Sequence, residues 1–441
     1  MNSIPQSDKL ADLPVAELEA AITQFLKPVT QRLPDKRLGR VVRLAVQGIS
    51  SSQSPLITQM ARGLGRSSKT IWAMAKRFYR FLSNPRLSHR DLLKGLYAHA
   101  QQTVAHYAPE YVVVALDPVN FEKPYTEKLE GVSTVMKSTP PALDGKKRLT
   151  RGYPAMTATI VNLPVPAVTY ANWFSYTTAD FLSQNYEIER AIRLTHALFP
   201  TQSLRFVGDA GLDDQKIFRQ IMQVQAQGII RAYHNRLIEV YNDRLDRWET
   251  EHLLDLAGCI LLEVDLLVDF THARKVRQVK VQLGWFQFRL PDLPQPMWAL
   301  VVHHPEEQRD LVLLTNVPIA TPAEARLVYD QWRHRPHIEH TYRFQQEAGL
   351  DVEDMRVQSL EAMRRLFVLV LLTALFVYQI AQSWPEPAIS WLRSLGGKLG
   401  LKTDLDGLYV LLAGIGAVFA TAASLTFALH HPFPFLTIRS G

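Results

Sequence analysis

Asp117, Asp209 and Glu339 are the residues of this chain whose types and settings could do chemistry. The first two each close a short apolar run, YVVVALD at 111–117 and LRFVGD at 204–209. Such runs read as buried strands. An acid at the end of a buried strand is costly unless it is solvated or paired, which makes each a candidate site residue. Taken singly, each is as readily a turn former, the ordinary role of aspartate after a strand. Glu339 falls on a predicted helix with Arg335 and Arg343 four residues to either side, on one face. The bland reading of that triplet is a pair of surface salt bridges. Together the three acids would bring hard oxygen donors from separate elements to one place. Phosphodiester cleavage with two divalent ions, magnesium or manganese, needs that arrangement. Asp117, Asp209 and Glu339 are therefore the expected catalytic residues and metal ligands.

Other candidates compete with them. Glu122 lies five residues beyond Asp117 in a polar stretch read as a turn, and Asp213 and Asp214 read as the N-cap and first-turn acids of the next helix. His334, His337 and His340 recur every three residues, but a structural zinc site needs a fourth ligand and a closed geometry. His337 or His340 fits better at the edge of the acidic site. Cys259 is the one cysteine, which excludes an intrachain disulfide and a cysteine-rich zinc site.

The elements that must position these acids follow from the hydrophobic pattern. Strands are predicted at 111–117, 155–161 and 167–173, the last two joined by a turn at 163–166. A helix over 178–198, a strand over 203–208, a helix over 213–227 and a strand at 228–233 follow. Three strands in hairpin order, then helix, strand, helix, strand, is the ribonuclease-H-like order, an α/β fold with a mixed sheet flanked by helices. In it the first and fourth strands are neighbours, which brings Asp117 to Asp209. Residues 236–320 interrupt this core with aromatic and β-branched runs, a predicted β-rich insertion. Thr321 and Glu324 form a capping-box pattern that opens a long helix, bent or restarted near Pro336, carrying Glu339.

The N-terminal quarter is different. Residues 10–105 read as helices throughout, and residues 1–110 hold 16 Lys/Arg against 7 Asp/Glu, while the rest of the chain holds 33 against 35. The net charge of +7 is thus confined to this region, and a localised basic surface attracts polyanions, nucleic acid first among them. Within it, 56–82 reads as a helix-turn-helix: a short helix, a turn at Gly63 to Gly65, then a helix capped by Ser67 or Ser68 that carries Lys69, Trp72, Lys76, Arg77 and Arg80. Lys69, Lys76, Arg77 and Arg80 are its candidate phosphate contacts. A plain helical hairpin with a solvated basic face is the alternative.

Two C-terminal stretches, 366–381 and 408–429, are very apolar, and the second is long enough to span a bilayer. Gly414, Gly416, Thr421, Ser424 and Thr426, and the lack of a basic flank beside Asp404 and Asp406, favour two helices buried against the core instead. No membrane association is expected. The N-terminus lacks the pattern of a secretory signal, so the cytoplasm is the expected compartment, on the nucleoid when bound to DNA. The predicted organisation is a helical DNA-binding domain at 1–108, a ribonuclease-H-like core at 109–235 and 321–385, the β-rich insertion at 236–320 and a helical region at 386–441.

The run WRHRPHIEHTYRFQQ resembles the Tyr-Arg-Glu-Lys signature of bacterial insertion-sequence DDE transposases, whose residues are separated by two, three and six others. Trp332, Arg335, Glu339 and Gln346 stand at those spacings, and VVVALDPVNFEKPY, LRFVGDAGLDD and LVLLTNV are similar to that family's other motifs. The resemblance covers roughly 110–400. Trp332 replaces the tyrosine and the neutral Gln346 the lysine, so a charged contact there would have to come from Lys128 or Arg343. It implies a cut-and-paste transposase with a ribonuclease-H-like core, two divalent ions on the three acids, and Arg335, Arg343, Gln346 and Trp332 against DNA. The insertion would then handle the transposon end, with Trp285 or Trp298 either stacking on an extruded base or packing in the core. Double-stranded DNA, both transposon ends and target, is the implied partner. A homodimer on DNA would cut two ends in concert, and no nucleotide cofactor is needed. A nuclease without strand transfer and a non-catalytic DNA-binding regulator are the alternatives.

Overall fold

The computed structural model describes residues 13–126, 128–137, 148–232, 235–272, 275–346, 350–397 and 407–430. It begins with six helices: α1 (Val15–Phe25), α2 (Lys27–Thr30), α3 (Lys36–Ser52), α4 (Ile57–Leu64), α5 (Ser68–Leu82) and α6 (His89–Tyr107). Local chemistry sets their starts. Asp35 accepts the Arg37 N–H at 2.8 Å to cap α3, and Ser67 with Thr70, then Ser88 with Asp91, form capping boxes on α5 and α6. α4 runs on through Gly63 and Leu64, expected to be turn, and is closed by Gly65, so the turn of the helix-turn-helix falls at 65–67 instead.

The middle of the chain builds the sheet. Its first part comprises β1 (Tyr111–Glu122), β2 (Ser133–Met136), β3 (Leu149–Ile160), β4 (Ala167–Trp173), β5 (Ser203–Gly208) and β6 (Gln227–Arg231), with α7 (Gln184–Leu198) before β5 and α8 (Gln215–Gln223) before β6. β3 runs antiparallel to both β1 and β4, while β1, β5 and β6 are mutually parallel. The final β1 to β5 pair is Leu116 with Gly208. The next residue on each strand is therefore an aspartate, Asp117 on one and Asp209 on the other.

Two expectations are corrected here. Asp117 does not end its strand: β1 continues to Glu122 by pairing with β3 alone, Asp117 lying opposite Thr157. Pro118, Asn120 and Glu122, read as a turn, are strand residues, because a neighbour on one side suffices to extend them. Helix α7 starts at Gln184 rather than 178, where the Ser183 side chain accepts the Tyr186 N–H at 3.0 Å.

Beyond β6 come β7 (Leu237–Asn242), β8 (Arg247–His252), the short α9 (Leu253–Ala257), β9 (Val264–His272), β10 (Lys275–Leu290), β11 (Leu293–His303) and β12 (Leu311–Thr315). These strands continue the sheet: β12 pairs with β6, and the described strands form one 12-stranded mixed sheet ordered β2-β3-β1-β5-β6-β12-β11-β10-β7-β8, with β4 beside β3 and β9 beside β10.

The remaining helices are α10 (Pro322–Trp332), α11 (His337–Gln346), α12 (Leu360–Ser383), α13 (Glu386–Gly396) and α14 (Gly407–His430). The Thr321 and Glu324 capping box opens α10, and Pro336 separates it from α11, so the predicted long helix is restarted. Both α12 and α14 are long and apolar enough to cross a membrane by length and composition. In the fold α12 is a core helix, its Leu366, Phe367, Leu372 and Phe376 packed with residues of α3, α6 and β4. Contact along α14 is so close that a Cβ on Gly414 would sit 1.8 Å from the Leu392 carbonyl oxygen of α13. The small residues of that apolar stretch thus serve helix packing. Parts of the 386–441 region, at 398–406 and 431–441, lie outside the described residues.

Candidate active site

The register of β1 and β5 fixes two acids side by side, and the turn between α10 and α11 swings a third element over them. Asp117 is 17% exposed, Asp209 42%, and Glu339, in the first turn of α11, 54%. All three face one cation. Arg335 Nη2 stands 3.8 Å from Asp117 Oδ1 and 3.7 Å from Asp209 Oδ2, and Nη1 is ion-paired with Glu339 Oε1. Arg231, at the end of β6, reaches Asp209 from the other side at 3.9 Å. The three predicted acids are brought together.

Burial pushes the Asp117 carboxyl up to about 7. The Arg335 guanidinium opposes that rise, and the neighbouring charges of Glu339 and Asp209 add to it. A carboxylate in this setting favours a further cation or a proton.

Several contacts hold the acids in place, and sequence reasoning missed most of them. The buried Tyr342 hydroxyl donates to the Asp117 main-chain carbonyl at 3.1 Å and is hydrogen-bonded to Thr157 Oγ1, joining α11 to β1 and β3. Trp332 Nε1 donates to the carbonyl of Gly208, next to Asp209, at 3.4 Å. His337 Nδ1 lies 3.1 Å from the Val161 carbonyl oxygen, to which it donates. The one sequence signal for Tyr342 was its place three residues after Glu339, nearly one helical turn on.

Other expectations divide. Arg335 is not on the Glu339 helix; it sits in the turn before α11, 12% exposed, and meets the acids rather than solvent. Arg343 is exposed on α11, Lys128 is exposed before β2, and the Gln346 side chain lies outside the described residues. Asp214, rather than Asp213, caps α8 through the Lys216 N–H at 2.8 Å, and Asp213 is buried in an ion pair with Arg236 at 2.8 Å. The rings of His334, His337 and His340 follow one another at 5.4 and 6.1 Å. Trp285 and Trp298 are half-buried against the core on one side of the sheet. Among the described residues, no group of three His, Cys, Asp or Glu is spaced to hold a metal ion as it stands. The three acids are spread to the reach of a guanidinium.

A second feature lies in the helical region. Arg37 and Arg40 of α3 face Lys69, Lys76, Arg77 and Arg80 of α5 across a groove of about 1250 Å³, with no acidic residue in its lining. Trp72 is 57% exposed there, and Lys76 Nζ lies 5.8 Å from the centre of its ring. The four predicted cations of α5 share this groove. Arg37 and Arg40 were missed, although the run Lys36, Arg37, Arg40, Arg43 on α3 carried the signal.

Comparison with known proteins adds little to this geometry. No family model and no curated protein matches the chain. Among solved structures, the cryo-EM structure of a piggyBac transposase synaptic complex with hairpin DNA aligns over 97% of this chain and 82% of that one, with a TM-score of 0.43 and 7% identity. So distant a likeness carries no argument about function, which rests on the site.

Proposed function

We propose that this chain is a metal-dependent DDE transposase with a ribonuclease-H-like core, of the bacterial insertion-sequence kind that carries a Tyr-Arg-Glu-Lys-type signature. The observation that carries the reading is the convergence of Asp117, Asp209 and Glu339, from two adjacent parallel strands and a separate helix, on one cation. The strand order β4-β3-β1-β5-β6, with its parallel and antiparallel pairings, is that expected of such a core. The donor set fits two divalent ions, magnesium or manganese: three hard carboxylates, one of them buried beside the charges of the other two. When bound, the ions would activate water and stabilise the leaving oxygen at phosphorus. Asp117 and Asp209 would hold them from the sheet and Glu339 from α11, with Tyr342 and Trp332 fixing the backbone of the first two. Hydrolysis at the element's end frees a 3′-hydroxyl, which then attacks target DNA in line.

The groove of α3 and α5 would bind double-stranded transposon ends, its six cations matched to phosphates and Trp72 to a sugar or base. Arg335, Arg343, Gln346 and Trp332 are the proposed DNA contacts near the chemistry. A homodimer would pair two ends, in the cytoplasm on the nucleoid, with no nucleotide cofactor. One observation favours a second reading, a non-catalytic DNA-binding regulator: Arg335 already occupies the space between the three acids as their shared ion-pair partner. A nuclease without strand transfer shares the carboxylates and differs only in the joining step.

The test is cleavage and joining of labelled DNA from the ends flanking the gene, in magnesium or manganese, with the native chain and Asp117→Ala, Asp209→Ala and Glu339→Ala. Loss of both products in all three variants, with DNA binding kept, supports the transposase. Cleavage without joining supports the nuclease, and binding without chemistry the regulator.

A further inference from the structure

We infer that Arg335 is a displaceable counter-cation of the acidic site, holding Asp117, Asp209 and Glu339 apart until a divalent ion takes its place. The inference rests on the metal-binding reading above. Two observations and one general fact about coordination lead to it. One guanidinium touches all three acids, with contacts at 3.7 and 3.8 Å to the aspartates and a closer pairing to Glu339. Donor oxygens around a guanidinium stand farther apart than those around Mg²⁺ or Mn²⁺, whose bonds are about 2.1 Å. The acids must therefore close in when the large, flat cation leaves and a small one arrives, in keeping with the lack, among the described residues, of any three His, Cys, Asp or Glu spaced for a metal as they stand.

Arg335 is also poised to move. It lies in the 333–336 turn between α10 and α11, outside both helices, so a rotation there breaks no regular helix. Its Nε is buried without a hydrogen-bond partner, so one of its five donors is already unspent. That makes the inward pose less than fully satisfied. Swung outward, the same charge would stand beside the ion site, where a phosphate oxygen of bound DNA could accept from it. A single residue would thereby link filling of the acidic site to the grip on DNA. A purely structural arginine makes the opposite prediction, since its removal would scatter the acids and weaken metal binding.

Mn²⁺ titration calorimetry without DNA separates these cases, using the native full chain, Arg335→Gln, Arg335→Lys and Asp117→Asn. We expect Arg335→Gln to bind Mn²⁺ about tenfold more tightly than the native chain and Arg335→Lys to fall between them. Melting in a chelator should show Arg335→Gln folded but lowered in Tm, with a larger rise on adding Mn²⁺ than the native chain gives. Mn²⁺ binding by Arg335→Gln or Arg335→Lys that is equal to or weaker than native, while Asp117→Asn abolishes it, overturns the counter-cation role and leaves the metal site standing. Mn²⁺ binding unchanged in Asp117→Asn overturns the metal site itself, and this inference with it.

Discussion

The hydroxyl of Tyr342 donates to the main-chain carbonyl of Asp117 at 3.1 Å, so the helix that carries Glu339 also clamps the strand that carries the first acid. The same oxygen is bonded to Thr157, directly opposite Asp117 on β3. Replacing Tyr342 with phenylalanine keeps the ring and removes this junction from a buried place. Leaving buried polar groups without a partner costs about 1–3 kcal/mol. We expect Tyr342→Phe to lower the unfolding free energy by that amount, read as a lower urea midpoint with an unchanged slope; a midpoint equal to native would mean that the clamp contributes nothing.

The raised carboxyl of Asp117 gives the metal-free protein a pH dependence of definite sign. Its ordinary value is 3.8 and burial lifts it to about 7 in the fold. Between those values the folded state binds the proton more tightly than the unfolded one, so this group's contribution is full below pH 4 and is lost as the pH rises through 7. Asp117→Asn cannot ionise and escapes that loss. In a chelating buffer it should match native stability near pH 4 and exceed it at pH 8 by an amount on the order of a few kcal/mol. A stability difference that does not vary with pH would contradict the assignment.

The groove of α3 and α5 makes a prediction about salt. If its six cations each neutralise one phosphate, the logarithm of the duplex affinity falls with the logarithm of salt concentration with a slope of about −5. Changing Arg37 and Arg40 together to glutamine should reduce that slope by about 2 and weaken different duplexes alike, because phosphate contacts carry no sequence information. Fluorescence anisotropy over a range of salt concentrations measures both quantities, and an unchanged slope would remove α3 from the interface.

The order of the core strands was legible because YVVVALD and LRFVGD are apolar, β-branched runs ended by an acid, and because parallel strands need a helical crossover between them. The continuation of β1 past Asp117 was hidden: Pro118 and Asn120 read as a turn, and only the neighbouring β3 makes them strand. The β7 and β8 hairpin falls within 236–320, read as β-rich, but its individual strands were not marked out. Only Ile238 among its residues is buried, so they lack the burial alternation that marks a strand. Of the candidate site, the three acids were readable from their settings, whereas the place of Arg335 was not. Helical periodicity put it on the face of Glu339 and aimed it at phosphate. That helix instead begins just after Pro336, leaving Arg335 outside it, and the convergence of two strands decides that acids surround the guanidinium. Tyr342 stayed hidden, and Trp332 was read only as a DNA contact, because their partners are main-chain carbonyls, which no sequence pattern advertises.

The central claim is that Asp117, Asp209 and Glu339 together hold divalent ions, and localised backbone cleavage tests it most directly. Fe²⁺ substituted for Mg²⁺ in the full chain, with ascorbate and peroxide, releases radicals that cut the polypeptide beside the bound ion, and mass spectrometry maps the cuts. The account predicts cuts clustered around 117, 209 and 339, suppressed by excess Mg²⁺ and lost in Asp209→Asn. Cuts confined to other segments, or the same pattern in Asp209→Asn, would contradict it.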